Sequence, residues 1–130
     1  MHSDLDGKTV IVTGASQGIG AAIAKAYAAA GANTVVHYRA GKEPADAIVN
    51  AISKNGGIAI AIPGALNEVE DVDRLFTEVK EAFGNVDVLI NNAGSFPNSP
   101  LLDLSLDDWR RMYSDNMEST FLCTKAAGNI

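Results

Sequence analysis

Lys8-Thr9-Val10-Ile11-Val12-Thr13-Gly14-Ala15-Ser16-Gln17-Gly18-Ile19-Gly20 passes from an apolar, β-branched run straight into a glycine-rich turn. Lys8 to Thr13 carries β-branched side chains at Thr9, Val10, Ile11, Val12 and Thr13 and closes on Gly14, the pattern of a buried parallel strand rather than a helix start. From Gly18 onward Ala21, Ala22, Ala24, Ala26, Ala28, Ala29 and Ala30 favour helix, with Ile19, Ile23, Tyr27 and Ala30 expected on one face and Gly31 as the stop. The glycines therefore fall in a strand-to-helix turn, where they let the backbone turn tightly, approach a pyrophosphate and present helix N-terminal N–H groups to its charge. Taken alone, the turn supports two readings, a phosphate cradle or a tight connection with no ligand. Its G-x-x-x-G-x-G spacing is not the Walker loop, because no Lys-Ser/Thr follows, and it differs from the G-x-G-x-x-G fingerprint.

A second motif, Asn91-Asn92-Ala93-Gly94, follows another apolar run. With Thr13-Gly14-x-x-x-Gly18-x-Gly20 ahead of it, in that order and at that separation, the chain resembles the short-chain dehydrogenase/reductase family. The resemblance covers nearly the whole chain, including a helix expected over Trp109 to Lys125 in which Asn116-x-x-x-x-Phe121 is similar to the family's helix-borne segment. It corresponds to the family's N-terminal half. The resemblance implies cofactor contacts at Gly14, Ser16, Gln17, Gly18, Ile19, Gly20, Leu66, Asn92, Ala93 and Gly94.

Between the motifs, Thr34 to Tyr38 reads as a second strand, and Pro44 is expected to open a helix through Ile48, Val49 and Ile52 to the Asn55-Gly56-Gly57 stop. Ile58 to Ile62 is a third strand. Asn67 with Glu70 has the spacing of a capping box before the helical face Val72, Leu75, Phe76, Val79 and Phe83, which ends at Gly84. Val86 to Ile90 is the fourth strand, and Ser105 with Asp108 repeats the cap logic before Trp109, Met112, Met117, Thr120 and Phe121. Strand and helix alternate without repeat or linker, so right-handed crossovers give one α/β domain over residues 1–130. It is a Rossmann-like, doubly wound parallel sheet with helices on both faces, strand order 3-2-1-4, ending after the fourth strand and its helix. Both motifs then lie at the C-terminal edge of the sheet, across one switch point where a dinucleotide fits.

Which dinucleotide depends on the end of strand two, where a carboxylate holds the adenosine ribose hydroxyls in NAD binders. The chain reads His37-Tyr38-Arg39 there, with no acid in place. A guanidinium at Arg39 can pair a 2′-phosphate through hydrogen bonds each worth roughly 1.5–3 kcal/mol, which favours NADP over NAD. Arg39 as a solvated loop residue is the other reading, since Gln17 stands where the family often adds a second basic residue. Lys42 is a possible assistant. Where the family carries an Asp for the adenine amino group, this chain has Ala65, leaving Leu66 to pack on the ring.

For chemistry the family uses a tyrosine as general acid, a lysine four residues on to lower its pKa, and a serine to place the carbonyl. The supporting asparagine of the family corresponds to Asn116, the catalytic candidate here; a polar residue capping a helix kink is the alternative. Tyr38 and Lys42 match Tyr-x-x-x-Lys only in spacing, because Gly41 and Pro44 place them in a loop at the adenosine end. Neither His2 nor His37 has metal-ligand partners at useful spacing, so no metal site is expected and His37 reads as a satisfied strand residue. Asp107-Asp108 and Glu68, Glu70, Asp71 and Asp73 read as helix starts.

Net charge of −6, with ten scattered Lys and Arg, argues against nucleic acid or an anionic membrane surface as partner. One cysteine, Cys123, suits a reducing compartment and reads as a core or interface residue. Met1 to Asp6 has no signal-like h-region and no run nears transmembrane length, so cytoplasm is the default expectation. Strand 86–90 would be an open apolar edge, and homo-oligomerisation or a complementing chain is expected through it or through helix 109–125. Three functional readings follow. The chain is the NADP(H)-binding part of a short-chain oxidoreductase acting on a small carbonyl or alcohol, inactive alone. Otherwise it is a non-catalytic nucleotide-binding or regulatory module associating with other subunits, or it completes a site with a partner's groups. Leu101, Leu102 and Phe96 read either as the near wall of a substrate pocket or as a surface loop with Pro97 and Pro100.

Overall fold

Side-chain alternation in the first strand divides the molecule into two layers. In the computed structural model, which describes residues 4–129, β1 (Thr9–Val12) is buried along its whole length. Val10 and Val12 point to one side, where they meet Ala24 and Ala28 of α1 (Gly18–Ala29) and Ala45 and Ile52 of α2 (Lys42–Lys54). Ile11 points to the other, into a cluster with Val72, Leu75, Phe76 and Val79 of α3 (Val69–Phe83) and Cys123 of the last helix. A strand covered on both faces is read in sequence as a continuous apolar run, and that is what Val10-Ile11-Val12 is.

The sheet runs β3-β2-β1-β4, all parallel. β2 (Asn33–Tyr38) pairs with β1 from Thr9↔Asn33 to Val12↔Val36 and with β3 (Ile58–Pro63) from Asn33↔Ile58 to Tyr38↔Pro63. β4 (Val88–Ile90) pairs with β1 from Val10↔Val88 to Val12↔Ile90. The expected class and strand order are those observed.

Five local readings need correction. β4 starts at Val88, not Val86, because the Asp87 carboxylate accepts the Thr9 N–H at 2.9 Å and takes the place of a ladder bond. α2 starts at Lys42 after Gly41 in a left-handed conformation (φ 89°); Pro44 is its third residue, still among the positions whose N–H has no helical partner. The fully buried residues of α1 are the small Gly20, Ala21, Ala24 and Ala28; of the expected face Ile23 and Tyr27 pack half-buried against the same core, while Ile19 is exposed. The Asn67–Glu70 box does not form: the Asn67 amide donates to Ser114 Oγ at 3.0 Å, and Asp71 accepts the Ala65 N–H at 2.7 Å. Ser105, by contrast, caps its helix as expected, accepting the Asp108 N–H at 3.0 Å.

The largest departure is the last helix. Instead of one helix over 109–125 there is α4 (Leu106–Tyr113), a π-helical turn (Ser114–Glu118) and α5 (Ser119–Gly128). The hydroxyls of Ser119 and Thr120 donate to the carbonyls of Asp115 (2.7 Å) and Asn116 (2.8 Å), engaging carbonyls beside the widened turn. The face that packs on α3 is Leu122, Cys123, Ala126 and Ala127; the expected face Trp109, Met117 and Phe121 is exposed. Burial of Cys123 pushes its thiol up to about 11, so it is an inert core group.

Candidate dinucleotide site

Thr13 and Asn92 tie the two sequence motifs into one rigid floor. Thr13 Oγ1 accepts the N–H groups of Asn92 and Ala93, both at 2.9 Å, and donates to the Ile90 carbonyl at 3.3 Å. In return the Asn92 amide donates to the carbonyls of Thr13 and Gly14, both at 3.1 Å. A threonine and an asparagine are needed because these positions must supply a paired acceptor and a paired donor where the two loops meet. The glycines are required by the same closeness. Gly14 (φ 62°) lies against Ala93, and a Cβ on Gly20 would overlap the Gly14 carbonyl and the Asn92 amide.

On the opposite side His37 holds the turn. Its Nδ1 accepts the Gly14 N–H at 3.0 Å, so the proton sits on Nε2, which donates to the Gly64 carbonyl at 2.9 Å. Burial keeps its pKa below the ordinary value of 6.5, against the opposing pull of the Gly64 carbonyl, and the ring is neutral and fully used. The Ala15 N–H donates to the His37 carbonyl at 2.8 Å. Thus the turn is anchored to both β2 and β4 before any ligand arrives.

Above this floor opens a cleft of about 410 Å³, within the range of small-molecule sites. Of the residues expected at the cofactor, Gly14, Ser16, Gln17, Gly18, Ile19, Arg39, Leu66, Asn92, Ala93 and Gly94 line it; Gly20 is buried in the turn instead. No side chain caps α1 and no acid stands in its first turn, so its leading N–H groups are left for a ligand or water. These features fit a dinucleotide: glycine backbone beneath the phosphates, a helix N-terminus aimed at them, a guanidinium at the end of β2, and Leu66 for a ring. Lys42 is drawn away along α2, its ammonium 2.6 Å from Asp46. Tyr38 ends β2 and Lys42 begins α2, so they do not share a helix face.

Several lining residues were not expected at the cofactor: His37, Gly64, Asn67, Ser95, Asp115 and Ser119. Ser95 directly follows Asn91-Asn92-Ala93-Gly94 and Asp115 directly precedes Asn116, so adjacency to the motifs was the available signal. Asn67 Oδ1 is buried without a hydrogen-bond partner among the described residues. Asp115 is the charged centre of the far wall. Burial alone would raise its pKa, but hydrogen bonds from Ser95 Oγ (2.7 Å) and Arg39 Nη1 (2.9 Å), with the charges of Arg39 and Arg111, hold the carboxyl below its ordinary value.

Asn116 does not reach this cleft. Its amide donates to the Ser95 carbonyl (2.5 Å) and the Met112 carbonyl (2.7 Å), and its oxygen lies where a Cβ on Gly94 would fall. It borders a neighbouring apolar recess of about 270 Å³ formed with Ser95, Phe96, Trp109, Met112 and Tyr113. Phe96 stands at that recess and is itself exposed, while Leu101 and Leu102 are exposed on the surface.

A parallel sheet in 3-2-1-4 order, with a glycine turn and an Asn-Asn-Ala-Gly segment facing one cleft at the switch point, defines a dinucleotide-binding α/β protein. The chain belongs to the short chain dehydrogenase family, whose model matches residues 8–129. It is 41% identical over 126 residues to a 3-oxoacyl-[acyl-carrier-protein] reductase of Synechocystis, covering 97% of this chain and 51% of the reductase. It is 42% identical over 127 residues to 3beta-hydroxysteroid dehydrogenase 1 of Eggerthella lenta, covering 97% of this chain and 49% of that protein. Among solved structures, a short chain dehydrogenase from Burkholderia cenocepacia in complex with NADP superposes with a TM-score of 0.91 at 41% identity, over 98% of this chain and 52% of that one. The chain thus spans about half the length of these relatives. No helix among the described residues is long and apolar enough to cross a membrane.

Proposed function

We propose that this chain is a single dinucleotide-binding unit that holds NADP(H), in preference to NAD(H), for a short-chain oxidoreductase. The observation that carries the reading is Arg39, which leaves the end of β2 and lines the glycine-turn cleft at a place where neither its neighbour Tyr38 nor Ala40 offers a carboxylate. When bound, the nicotinamide would exchange hydride with a small carbonyl or alcohol. The chain's own residues then divide the work: the first turn of α1 and the glycines receive the pyrophosphate, Arg39 the 2′-phosphate, Leu66 the adenine, and Asn92, Ala93 and Gly94 the floor towards the nicotinamide. Asn116 acts as a positioning residue, holding the Ser95 carbonyl and the π-turn in register. Among the described residues the helical tyrosines Tyr27 and Tyr113 have Gly31 and Met117, not lysine, four residues on, so the chain alone binds without turnover.

Calorimetric titration with NADPH and NADH tests this. Saturable binding with NADPH preferred, and weakened by Arg39→Ala, is the expected result; equal affinity for both, unaffected by Arg39→Ala, overturns the preference. A folded chain that binds neither overturns the reading altogether.

A second reading, a module that associates with other subunits, is favoured by the exposed apolar side chains Trp109, Tyr113, Met117 and Phe121 and by the open outer edge of β4. The same surface suits a homo-oligomer. Sedimentation at micromolar concentration is expected to show association that Phe121→Ser or Trp109→Ser weakens; a concentration-independent monomer refutes it.

A further inference from the structure

We propose that Asp115 sets how tightly this chain holds a 2′-phosphorylated dinucleotide, by competing with the 2′-phosphate for Arg39. The inference rests on the reading of Arg39 given above and goes beyond it by assigning a determinant on the opposite wall of the cleft.

The two residues are 76 positions apart in the chain and meet across the cleft they both line, with Arg39 Nη1 2.9 Å from Asp115 Oδ1. They are unequal partners. The Asp115 side chain is 10% exposed and held from two directions, its Oδ2 by the Ser95 hydroxyl and its backbone carbonyl by the Ser119 hydroxyl. The Arg39 side chain is 61% exposed, and no other hydrogen bond fixes it among those of the described residues. So the carboxylate is a fixed post and the guanidinium a swinging arm.

Two effects on a ligand follow, and they have different signatures. An arginine engaged by a carboxylate must leave it before it can take a 2′-phosphate, so the observed dissociation constant rises by the inverse of the fraction of molecules in which Arg39 is free. That effect requires Arg39 and acts only on ligands carrying a 2′-phosphate. Separately, a fixed negative charge beside the site opposes any polyanionic dinucleotide through space, with or without Arg39. The first effect dominates here because the ion pair consumes the one cation of the described residues that lines the cleft. A phosphate dianion still displaces the carboxylate, since an ion pair with one well-exposed partner is weak.

The experiment is a double-mutant cycle on the chain, read by calorimetric binding of adenosine 2′,5′-bisphosphate, NADPH and NADH. Asp115→Asn removes the charge and keeps an oxygen for the Ser95 hydroxyl. It is expected to tighten adenosine 2′,5′-bisphosphate and NADPH by roughly three- to fivefold, the scale of a partly exposed ion pair, and NADH distinctly less. With Arg39→Ala already in place, the extra gain for the two 2′-phosphate ligands should vanish. Asp115→Ser, which can also take the Ser95 hydrogen bond, repeats the comparison if the Asn variant does not fold. Equal tightening of all three ligands in both backgrounds would reduce Asp115 to general repulsion and overturn the proposal. So would a selective loss of NADH affinity, which would make Asp115 a ribose-hydroxyl acceptor. If the unmutated chain binds none of the three, it is the NADP(H) reading that fails; if it prefers NADPH and the cycle shows no 2′-phosphate-specific gain, only this inference fails.

Discussion

The junction of β1 with β4 and the stretch from Ser95 to Phe121 border the same cleft and are built by opposite means. At the junction Val10, Ile11 and Val12 are fully buried, Thr13, Asn92 and Gly14 share three hydrogen bonds, and Thr13 makes two more, with Ala93 and Ile90. Along the second stretch Phe96, Leu102 and Phe121 are 82%, 97% and 63% exposed; Ser95 ties it across itself to Asp115 and Asn116, and polar links from Arg39 to Asp115 and from Asn67 to Ser114 join it to the sheet side. Rigidity is thus concentrated where phosphates would sit. The other side, where substrate or a partner would be met, keeps its apolar groups available, as functional surfaces commonly do.

That contrast breaks if the two regions respond alike to truncation. The largest effect is expected from Ile11→Ala, a fully buried side chain between two layers, which should lower stability by about 2–5 kcal/mol in denaturant unfolding. Thr13→Val comes next: it strands the Asn92 and Ala93 N–H groups and should cost about 1–3 kcal/mol while also loosening the cleft floor, read by parallel unfolding and NADPH titration. A Thr13→Val chain as stable as the parent would mean that the junction relies on apolar packing alone.

His37 sharpens the comparison through pH. Its folded pKa lies below the ordinary 6.5, so below that value the unfolded chain binds a proton that the folded chain refuses. Stability is therefore complete above pH 6.5 and falls as pH drops through 6.5 towards the folded pKa, below which the folded ring is protonated and Gly14 loses its acceptor. Thermal melts across that range should show this slope and show less of it in His37→Asn, whose amide oxygen can still receive the Gly14 N–H. At the small end, Leu102→Ala should change stability by no more than about 0.5 kcal/mol, and a larger loss would place Leu102 in a packed interface.

The glycine turn, the strand order and the satisfied His37 were legible because each follows from short-range rules: which residues tolerate a tight turn, which periods suit a buried strand, which connections are right-handed. The faces of α1 and of the last helix were not. Periodicity in α1 grouped Ile19 with Ile23 and Tyr27, yet only the latter two pack on the core, half-buried, and the fully buried positions are Gly20, against the Gly14 carbonyl, with Ala21, Ala24 and Ala28. The apolar pattern from Trp109 to Phe121 continues through the π-turn at Ser114–Glu118, and a turn of that kind leaves no trace in a pattern of side-chain types. Asn67 was read as a cap because capping is local, but its amide is taken by Ser114 from a distant helix.

By itself, the sequence determined the parallel α/β architecture, the order of the strands and the place of both motifs at one edge, since glycine conformation and β-branched burial depend on residues near in the chain. It also singled out Arg39 through the missing carboxylate at the end of β2. Only the tertiary structure decided that Arg39 faces Asp115, that Asn116 binds the Ser95 carbonyl rather than entering the cleft, and that Trp109, Met117 and Phe121 remain exposed. Those outcomes depend on which helix face reaches the sheet and on side chains separated by many residues, and such long-range geometry is fixed only when the layers pack.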